Sequence, residues 1–447
     1  MFRENRCMML HTIFQLIFEY AFIPVCIVSA FCGLLALLNL LVDRQLPYSR
    51  SSSLKEYPFV TIQVPSFNDP VAARCIEACL RFSYPRDRYE IMILDDSTDQ
   101  ETAQFLATFA SRHPDLVRYF YRDNRAGYKP GALKTWMPQV RGELIVIFDA
   151  DFVPPVDFLE RVVQPFEDPQ VAIVQARQTK FLNGKENLVA RFASYLLGIH
   201  HLILMPINHR YNAVFFCGTA GALRKRAVEE VGGWNTTSIT EDSDLSVRLL
   251  ARGYRSVYLP LDTMSEVPVT LNAFLKQQMR WCFGNARVFF DNARTILFGG
   301  SLTLPQRLLI SIMTLGNLFA PMVIVMTIAG FLANLTGNPQ PFGIDDLLGN
   351  LSKILLTSGF IFMGLVMLHK RESSAEFPHF LAATLTLGLV LTGALTLALY
   401  RAVFRKNAPL FGKTSWICTP KSGNETFKDV QVGTAAPAVE SPRIFGA

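Results

Sequence analysis

The stretch Leu144-Ile-Val-Ile-Phe-Asp149-Ala-Asp151 ends an apolar run in two carboxylates one residue apart. Such a run reads as a fully buried strand. In an open α/β sheet, ligands sit outside the carboxyl ends of strands. In extended backbone Asp149 and Asp151 point the same way. Two hard oxygen ligands so placed suit a Mg2+ or Mn2+ that keeps open positions for a diphosphate. A pair of loop acids capping the next helix is the plainer account, because Asp-x-Asp is short and common.

Other residues join them. Residues 91–94 read as a strand ending in Asp95-Asp96-Ser97-Thr98-Asp99. Acids at the mouths of two strands make a crevice able to bind sugar-nucleotide hydroxyls, ring nitrogens and a metal. Lys129, between Gly127 and Gly131 in a loop over 125–131, can approach phosphate as a point charge where flexible backbone lets it come close. An ordinary turn lysine is the alternative. Downstream, Phe215-Phe216-Cys217-Gly218-Thr-Ala-Gly221 and Gly232-Gly-Trp234 interleave small residues with aromatics. They form either a platform on which sugar rings stack or a packed core turn. Thr240-Glu241-Asp242 opens a helix over 243–252. Thr240 can cap that helix and the acids suit its first turn, so capping alone could explain the cluster. His200, His201 and His209 fall in a helical region over 186–209. Neighbouring histidines point to different helix faces, which favours a structural or interfacial role over a metal site.

The elements that position these groups alternate. Strands over 60–64, 91–94, 117–121, 144–148 and 171–174, with helices between them, imply a mostly parallel sheet covered on both faces. Outside this block the chain is apolar. Hydrophobic residues make up 50% of the 447 and charged residues only 18%. The excess lies in stretches at 21–42, 308–332, 347–368 and 380–400, each long enough to cross a bilayer. A helix over 270–290 carries Gln277, Arg280 and Trp281 among apolar residues, the profile of a helix lying at a membrane surface. Net charge of +6 suits an anionic leaflet or phosphorylated substrates and is too diffuse to argue for nucleic acid. Eight cysteines are scattered. Only Cys75 and Cys79 lie a helical turn apart, so all read as reduced, in agreement with a cytosolic catalytic domain.

The set Asp95/Asp96, Asp149-Ala-Asp151, Thr240-Glu-Asp242 and Gln277-x-x-Arg280-Trp281 resembles that of the family 2, membrane-integrated glycosyltransferases. These include cellulose synthase, hyaluronan synthase, plant mannan synthases and ceramide glucosyltransferase. The resemblance covers roughly 58–290. Leu94-Asp-Asp-Ser-Thr-Asp99, Val146-Ile-Phe-Asp-Ala-Asp-Phe152, Val174-Gln-Ala-Arg177 and Gly218-Thr-Ala-Gly221 look like the plant mannan synthase and xyloglucan-backbone glucan synthase branch. Phe215-Phe-Cys-Gly218 is closer to the bacterial cellulose synthase acceptor motif, and Arg280-Trp-Cys-Phe-Gly284 departs from the mannan synthase form.

That resemblance implies an α/β, GT-A-type nucleotide-sugar-binding domain flanked by transmembrane helices. It gives a span and linker over 1–57, the catalytic domain over 58–268, an interfacial region over 269–300, further spans over 301–404 and an irregular tail over 405–447. Asp242 becomes the general base; Asp149 and Asp151 hold the metal–diphosphate. Asp96, Lys129, Gln277 and Arg280 bind the donor. Trp281 with Phe215, Phe216, Cys217 and Gly218 receives the acceptor. The implied reaction is inverting, metal-dependent transfer of a hexose from UDP-glucose or GDP-mannose to a growing β-glycan, processively, or singly to a membrane lipid. The implied location is the plasma (inner) membrane, or the Golgi membrane in a eukaryote, with the catalytic domain cytosolic. An inverting transfer needs a base to deprotonate the acceptor hydroxyl and positive charge to stabilise the departing diphosphate.

Two further expectations concern the membrane. Phe215, Cys217, Gly218 and Trp281 should converge on one cavity facing the membrane side. Lys353, the only charge within its apolar stretch, either snorkels to the outer interface or lines a channel for an exported glycan. Four simple crossings place Arg401, Arg405 and Lys406 outside, against the positive-inside bias. Either one stretch does not cross simply or the bias fails.

Overall fold

The computed structural model describes residues 2–41, 56–337, 344–405 and 410. Most of the linker expected over 43–57 and nearly all of the tail expected over 405–447 lie outside the described residues.

Seven strands form one sheet: β1 (Val60–Ser66), β2 (Tyr89–Asp95), β3 (Val117–Tyr121), β4 (Leu144–Ile147), β5 (Val171–Phe181), β6 (Gly221–Arg224) and β7 (Arg255–Ser265). Their order is β3-β2-β1-β4-β6-β5-β7. Every pairing is parallel except those of β6, which runs antiparallel between β4 and β5. Side-chain alternation divides the central strands between two cores. Ile62, Ile91, Ile93 and Val146 face one core, with Ile76 and Leu106 from covering helices. Met92, Leu94, Ile145 and Ile147 face the other, with Leu133, Leu245 and Leu249. Both faces being covered explains why 91–94 in β2 and all of β4 are continuous apolar runs.

β5 is longer than its apolar start suggests. It follows β7 through three register shifts as far as Phe181 opposite Ser265, and so carries the chain out of the sheet toward the helix Leu188–Ile199. That helix continues through a π turn at His200–Leu204 into Met205–Arg210.

Among the described residues, four helical stretches are long and apolar enough to cross a membrane: Met8–Leu41, Leu188–Arg210, Leu304–Thr336 and Ser374–Phe404. The first belongs to a helix running Phe2–Leu41, which begins well before residue 21. Its 40 residues span about 60 Å, twice a hydrocarbon core. Leu188–Arg210 is the most enclosed by protein, packed between the sheet and the other apolar helices.

The stretch expected to span at 347–368 is instead a broken pair, Leu351–Thr357 and Gly359–Lys370, bent by 58°. The break has a visible cause. Gly359 donates its N–H to Ser29 Oγ at 2.8 Å, and a Cβ on Gly359 would stand 1.8 Å from the Ser29 carbonyl oxygen. The helix gives up its own geometry where the first helix crosses it in backbone contact.

The last helix, Phe377–Phe404, is tied to the helices Leu188–Ile199 and Leu271–Phe298 along its length. Glu376, at its start, accepts hydrogen bonds from Arg191 and from Tyr195 Oη. Cys282 Sγ approaches the Leu395 carbonyl at 3.8 Å, and Arg287 donates to the Ala402 carbonyl at 3.3 Å.

Candidate active site

The carboxyl ends of β1, β2 and β4 open on one crevice, and the acids there have different fates. Asp95 is fully buried and accepts hydrogen bonds from Ser97 N at 3.0 Å and Tyr119 Oη at 2.7 Å. It holds the strand end in place. Asp96 is gripped by two guanidinium nitrogens of Arg122, at 2.8 and 2.5 Å. Arg122 also donates to the carbonyls of Ala126 and Tyr128, each at 3.1 Å. The acid that lines the crevice is thus locked to the segment carrying Lys129. Arg122 escaped the sequence reading; its signal was a cation following β3, one strand from an acid-tipped neighbour.

Lys129 sits in the first turn of the helix Tyr128–Trp136, not in a loop. Gly127 precedes it in the left-handed region at φ 70°, and a Cβ on Gly131 would meet Ala126 O at 2.0 Å. Only glycine permits that close turn. Lys129 Nζ bridges Asp149 Oδ1 at 2.6 Å and the Gly218 carbonyl at 2.8 Å. It therefore joins the β4 acid to the Phe215–Gly218 segment.

β4 ends at Ile147, and Phe152 N donates to the Asp149 carbonyl at 3.1 Å. Asp149 to Phe152 is therefore a turn, and the extended backbone expected there is absent. Asp149 keeps its side chain 39% exposed, while Asp151 is buried and accepts from Glu266 N at 3.1 Å through Oδ2. Both line the same crevice. As donors they remain two hard oxygens, one open to the cavity, which fits a divalent cation of the Mg2+ or Mn2+ kind. Lys129 supplies positive charge at Asp149 in this structure.

Across the crevice, Gln175 Oε1 accepts from Cys217 N at 2.8 Å and Gln175 Nε2 donates to Thr219 O at 3.0 Å. This clamps Gly218 at φ 80°, where a Cβ would lie 2.9 Å from Asp242 Oδ2. Asp242 is part-buried at the start of the helix Glu241–Ala251, and Ser243 N donates to its Oδ1 at 2.8 Å. Burial raises the Asp242 carboxyl, opposed by that hydrogen bond and by the charges of Lys129 and Arg280. Glu241 is pushed up to about 7, first by burial and then by Asp242. The sequence reading treated Glu241 only as a first-turn acid.

Thr240 does not cap this helix, although Glu241, Asp242 and Asp244 do fall in its first turn. Thr240 has a buried Oγ1 with no hydrogen-bond partner. It is pressed against the Leu271–Phe298 helix, where a Cβ on Gly284 would stand 2.5 Å from Thr240 Cγ2. Gly284 thus lets the helix bearing Gln277, Arg280 and Trp281 lie directly on the Thr240–Asp242 turn. Asp244 is engaged elsewhere, pairing with Arg248 at 2.8 Å.

Phe215, Phe216, Cys217, Gly218, Gln277, Arg280 and Trp281 all border one cavity of about 1250 Å³, which continues between the apolar helices past Phe31, Met313 and Thr392. The aromatic platform expected at 215–216 is corrected, however. Phe216 is 1% exposed and packs near Trp234, while Phe215 packs with Val247 and Val288. Those rings are core that fixes the loop; Trp281 is a part-exposed aromatic at the cavity. Burial pushes the Cys217 thiol up, so it is a neutral group. Lys353 is exposed, with Nζ 5.9 Å from the centre of the Phe18 ring, and is not among the residues that line the cavity.

Residues 58–284 match the sequence model of the family described as glycosyltransferase like family 2, over half of the chain. The chain belongs to glycosyltransferase family 2. A cellulose synthase model also matches, over residues 224–374. Among similar proteins, glucomannan 4-beta-mannosyltransferase 2 of Arabidopsis thaliana is 41% identical over 244 residues, covering 52% of this chain and 45% of that protein. Probable glucomannan 4-beta-mannosyltransferase 9 of Oryza sativa subsp. japonica is 40% identical over 244 residues, covering 52% and 46%. The chain spans about half the length of the curated relatives it matches. In structure it resembles the mannosyltransferase PcManGT from Pyrobaculum calidifontis, solved with GDP-Man and Mn2+, at a TM-score of 0.64 and 19% identity. That match covers 87% of this chain and 99% of the other, and the fold is GT-A-like.

Proposed function

We propose that this chain is an inverting hexosyltransferase that moves mannose from GDP-mannose to a growing β-glycan at a membrane. The observation that carries the reading is the convergence of Asp242, Lys129 and Arg280 on one crevice with the Asp149/Asp151 turn. Asp242 Oδ2 takes the proton from the acceptor hydroxyl as its oxygen attacks the anomeric carbon. The bond from that carbon to the diphosphate breaks on the opposite face, and GDP leaves. Lys129 and Arg280 offer positive charge to the leaving group. A divalent cation at Asp149 and Asp151 would add Lewis-acid neutralisation of the same diphosphate. Asp96, locked by Arg122, shapes the nucleoside end, and Trp281 floors the acceptor.

Mannose is favoured over glucose by the names of the relatives at 41% and 40% identity. Processive synthesis is favoured by the cavity's extension between apolar helices, which offers a polymer an exit. Single transfer to a membrane lipid uses the same crevice and is separated by product length. The domain bearing the sheet would face the cytosol, with the first apolar helix, Met8–Leu41, crossing the membrane.

The test is Asp242→Asn in purified membranes supplied with labelled GDP-mannose and UDP-glucose. Donor affinity should stay near wild type while transfer falls by roughly 10²–10⁴-fold. Near-normal turnover removes Asp242 from the chemistry; lost donor binding moves it to the metal–diphosphate site.

A further inference from the structure

Among the described residues, one cluster of ligand-type side chains has no part in the transfer chemistry above, although its Cys217 belongs to the acceptor-facing loop. His200, His201 and Cys217 each offer one atom, and these atoms lie within 4.8 Å of one another. We propose that the three form a second cation site, for a borderline-soft ion of the Zn2+ class, on the wall of the cavity beside Gly218.

The geometry is close to what such an ion requires. With about 2.3 Å to sulfur and 2.1 Å to nitrogen, tetrahedral ligands stand about 3.6 Å apart. Cys217 Sγ and His200 Nε2 are 3.7 Å apart. The His201 ring needs to close by about an ångström from the outer limit of the cluster. On a regular helix two consecutive histidines diverge, but His200–Leu204 is a π turn. Such a turn changes where the side chains point and is often found at functional sites.

A second observation points to a ligand. His201 is 1% exposed, and its Nδ1 has no hydrogen-bond partner. Its carbonyl accepts from Tyr258 Oη at 2.5 Å, and the Tyr258 ring stacks on its own at 6.2 Å, so the residue is held in place. A buried polar nitrogen without a partner is costly, and ligation of a cation through Nδ1 would relieve it. His200 and Cys217 are part-exposed and border the cavity, which supplies an entry path and leaves a fourth position open.

Thiol and imidazole ligands select a different ion from two carboxylates, so this site and the Asp149/Asp151 turn discriminate by softness. Binding forms a metal–sulfur bond and releases the Cys217 thiol proton to solvent. Because Lys129 holds the Gly218 carbonyl, an ion on Cys217 stiffens the loop against Asp242 and narrows the acceptor space.

The test is Co2+ titration of the full chain in detergent after chelator treatment. One equivalent should produce a thiolate-to-Co2+ charge-transfer band with strong tetrahedral visible bands, and Zn2+ should bleach both. Cys217→Ser should abolish the charge-transfer band. His201→Gln should weaken binding by at least about 100-fold, more than outer partners of a metal site usually cost. Asp149→Asn should leave the band intact, which separates this site from the hard-cation site. Absence of the charge-transfer band in the wild-type chain overturns the proposal. So does a band that survives Cys217→Ser, or an unchanged affinity in His201→Gln.

Discussion

Replacing Gly218 by alanine tests the active-site geometry at its tightest point. The residue sits at φ 80°, and an added Cβ would lie 2.9 Å from Asp242 Oδ2 and 3.5 Å from its Cγ. Left-handed backbone costs a non-glycine residue about 1–2 kcal/mol. For a domain of this size that lowers Tm by roughly 2–8 °C. The Cβ falls about half an ångström short of ordinary contact with the carboxylate. Since Ser243 N holds Oδ1, the oxygen displaced is Oδ2, the one assigned to the acceptor proton. A misplacement of 1 Å costs about 10²-fold, so half that distance should cost roughly 10–10²-fold in kcat. Donor affinity should stay near wild type, because Lys129 bonds the Gly218 carbonyl, which alanine retains. Initial rates and donor titrations on one preparation read both quantities. In Asp242→Asn the same substitution should add little, since the two act through one group. A Gly218→Ala enzyme turning over at the wild-type rate, with its fold intact, refutes the assignment of Oδ2.

The pH dependence of Glu241 offers a second test. Its carboxyl is raised to about 7 by burial and then by Asp242, so its ionisation opposes folding. That cost is absent below the unfolded value near 4.3 and complete above 7. Glu241→Gln should therefore melt higher than wild type at pH 8 and level with it at pH 4; a difference independent of pH refutes this. Arg122→Ala should cost about 3–5 kcal/mol, because it leaves Asp96 buried without its guanidinium. Chemical denaturation reads that loss, and a change below about 1 kcal/mol would show the pair to be dispensable. For the helix Phe377–Phe404, contacts at Glu376 and Ala402 lie about 40 Å apart along its axis and reach Tyr195 and Arg287, on the two helices that adjoin the cavity. Single cysteines at Ser374 and Phe404 should then label from the same face in sealed vesicles. Labelling from opposite faces shows that the helix crosses.

That last geometry bears on the charge conflict visible in the sequence. Arg401 and Arg405 fall on the wrong side only if every apolar stretch is a simple crossing. The structure contains a 58° break at one stretch and, at the next, a helix packed along the Leu271–Phe298 helix. Neither could be read from hydropathy, since an apolar helix packed on protein and lipid together has the same composition as one that crosses. The break depends on Gly359 meeting Ser29 of a helix more than 300 residues away in sequence.

The rest of the molecule divides along the same line. β2 and β4 were legible because both faces are buried, so their apolar runs are unbroken, and because strand mouths in an open sheet are where acids cluster. β6 was missed: four residues opening on Gly221 carry too little pattern to outweigh their small-residue surroundings. β7 was missed although Val257, Leu259 and Leu261 alternate, because Pro260 argues against a strand. It stands where the pairing with β5 slips, between Leu259 and Asp262. Asp149, Asp151 and Lys129 were named from type and spacing, Asp242 and Arg280 from the family resemblance, and all five border one crevice. What orders them was invisible, because it lies in contacts between residues distant in sequence: Arg122 on Asp96, Lys129 on Gly218, Gly284 under Thr240. The histidines show the limit most sharply. The argument that adjacent side chains diverge holds for a 3.6-residue helix, and a π turn removes its premise without changing a residue. Spacing therefore identifies groups able to react, while the angle at which they meet is set by local departures from the regular geometry that spacing assumes.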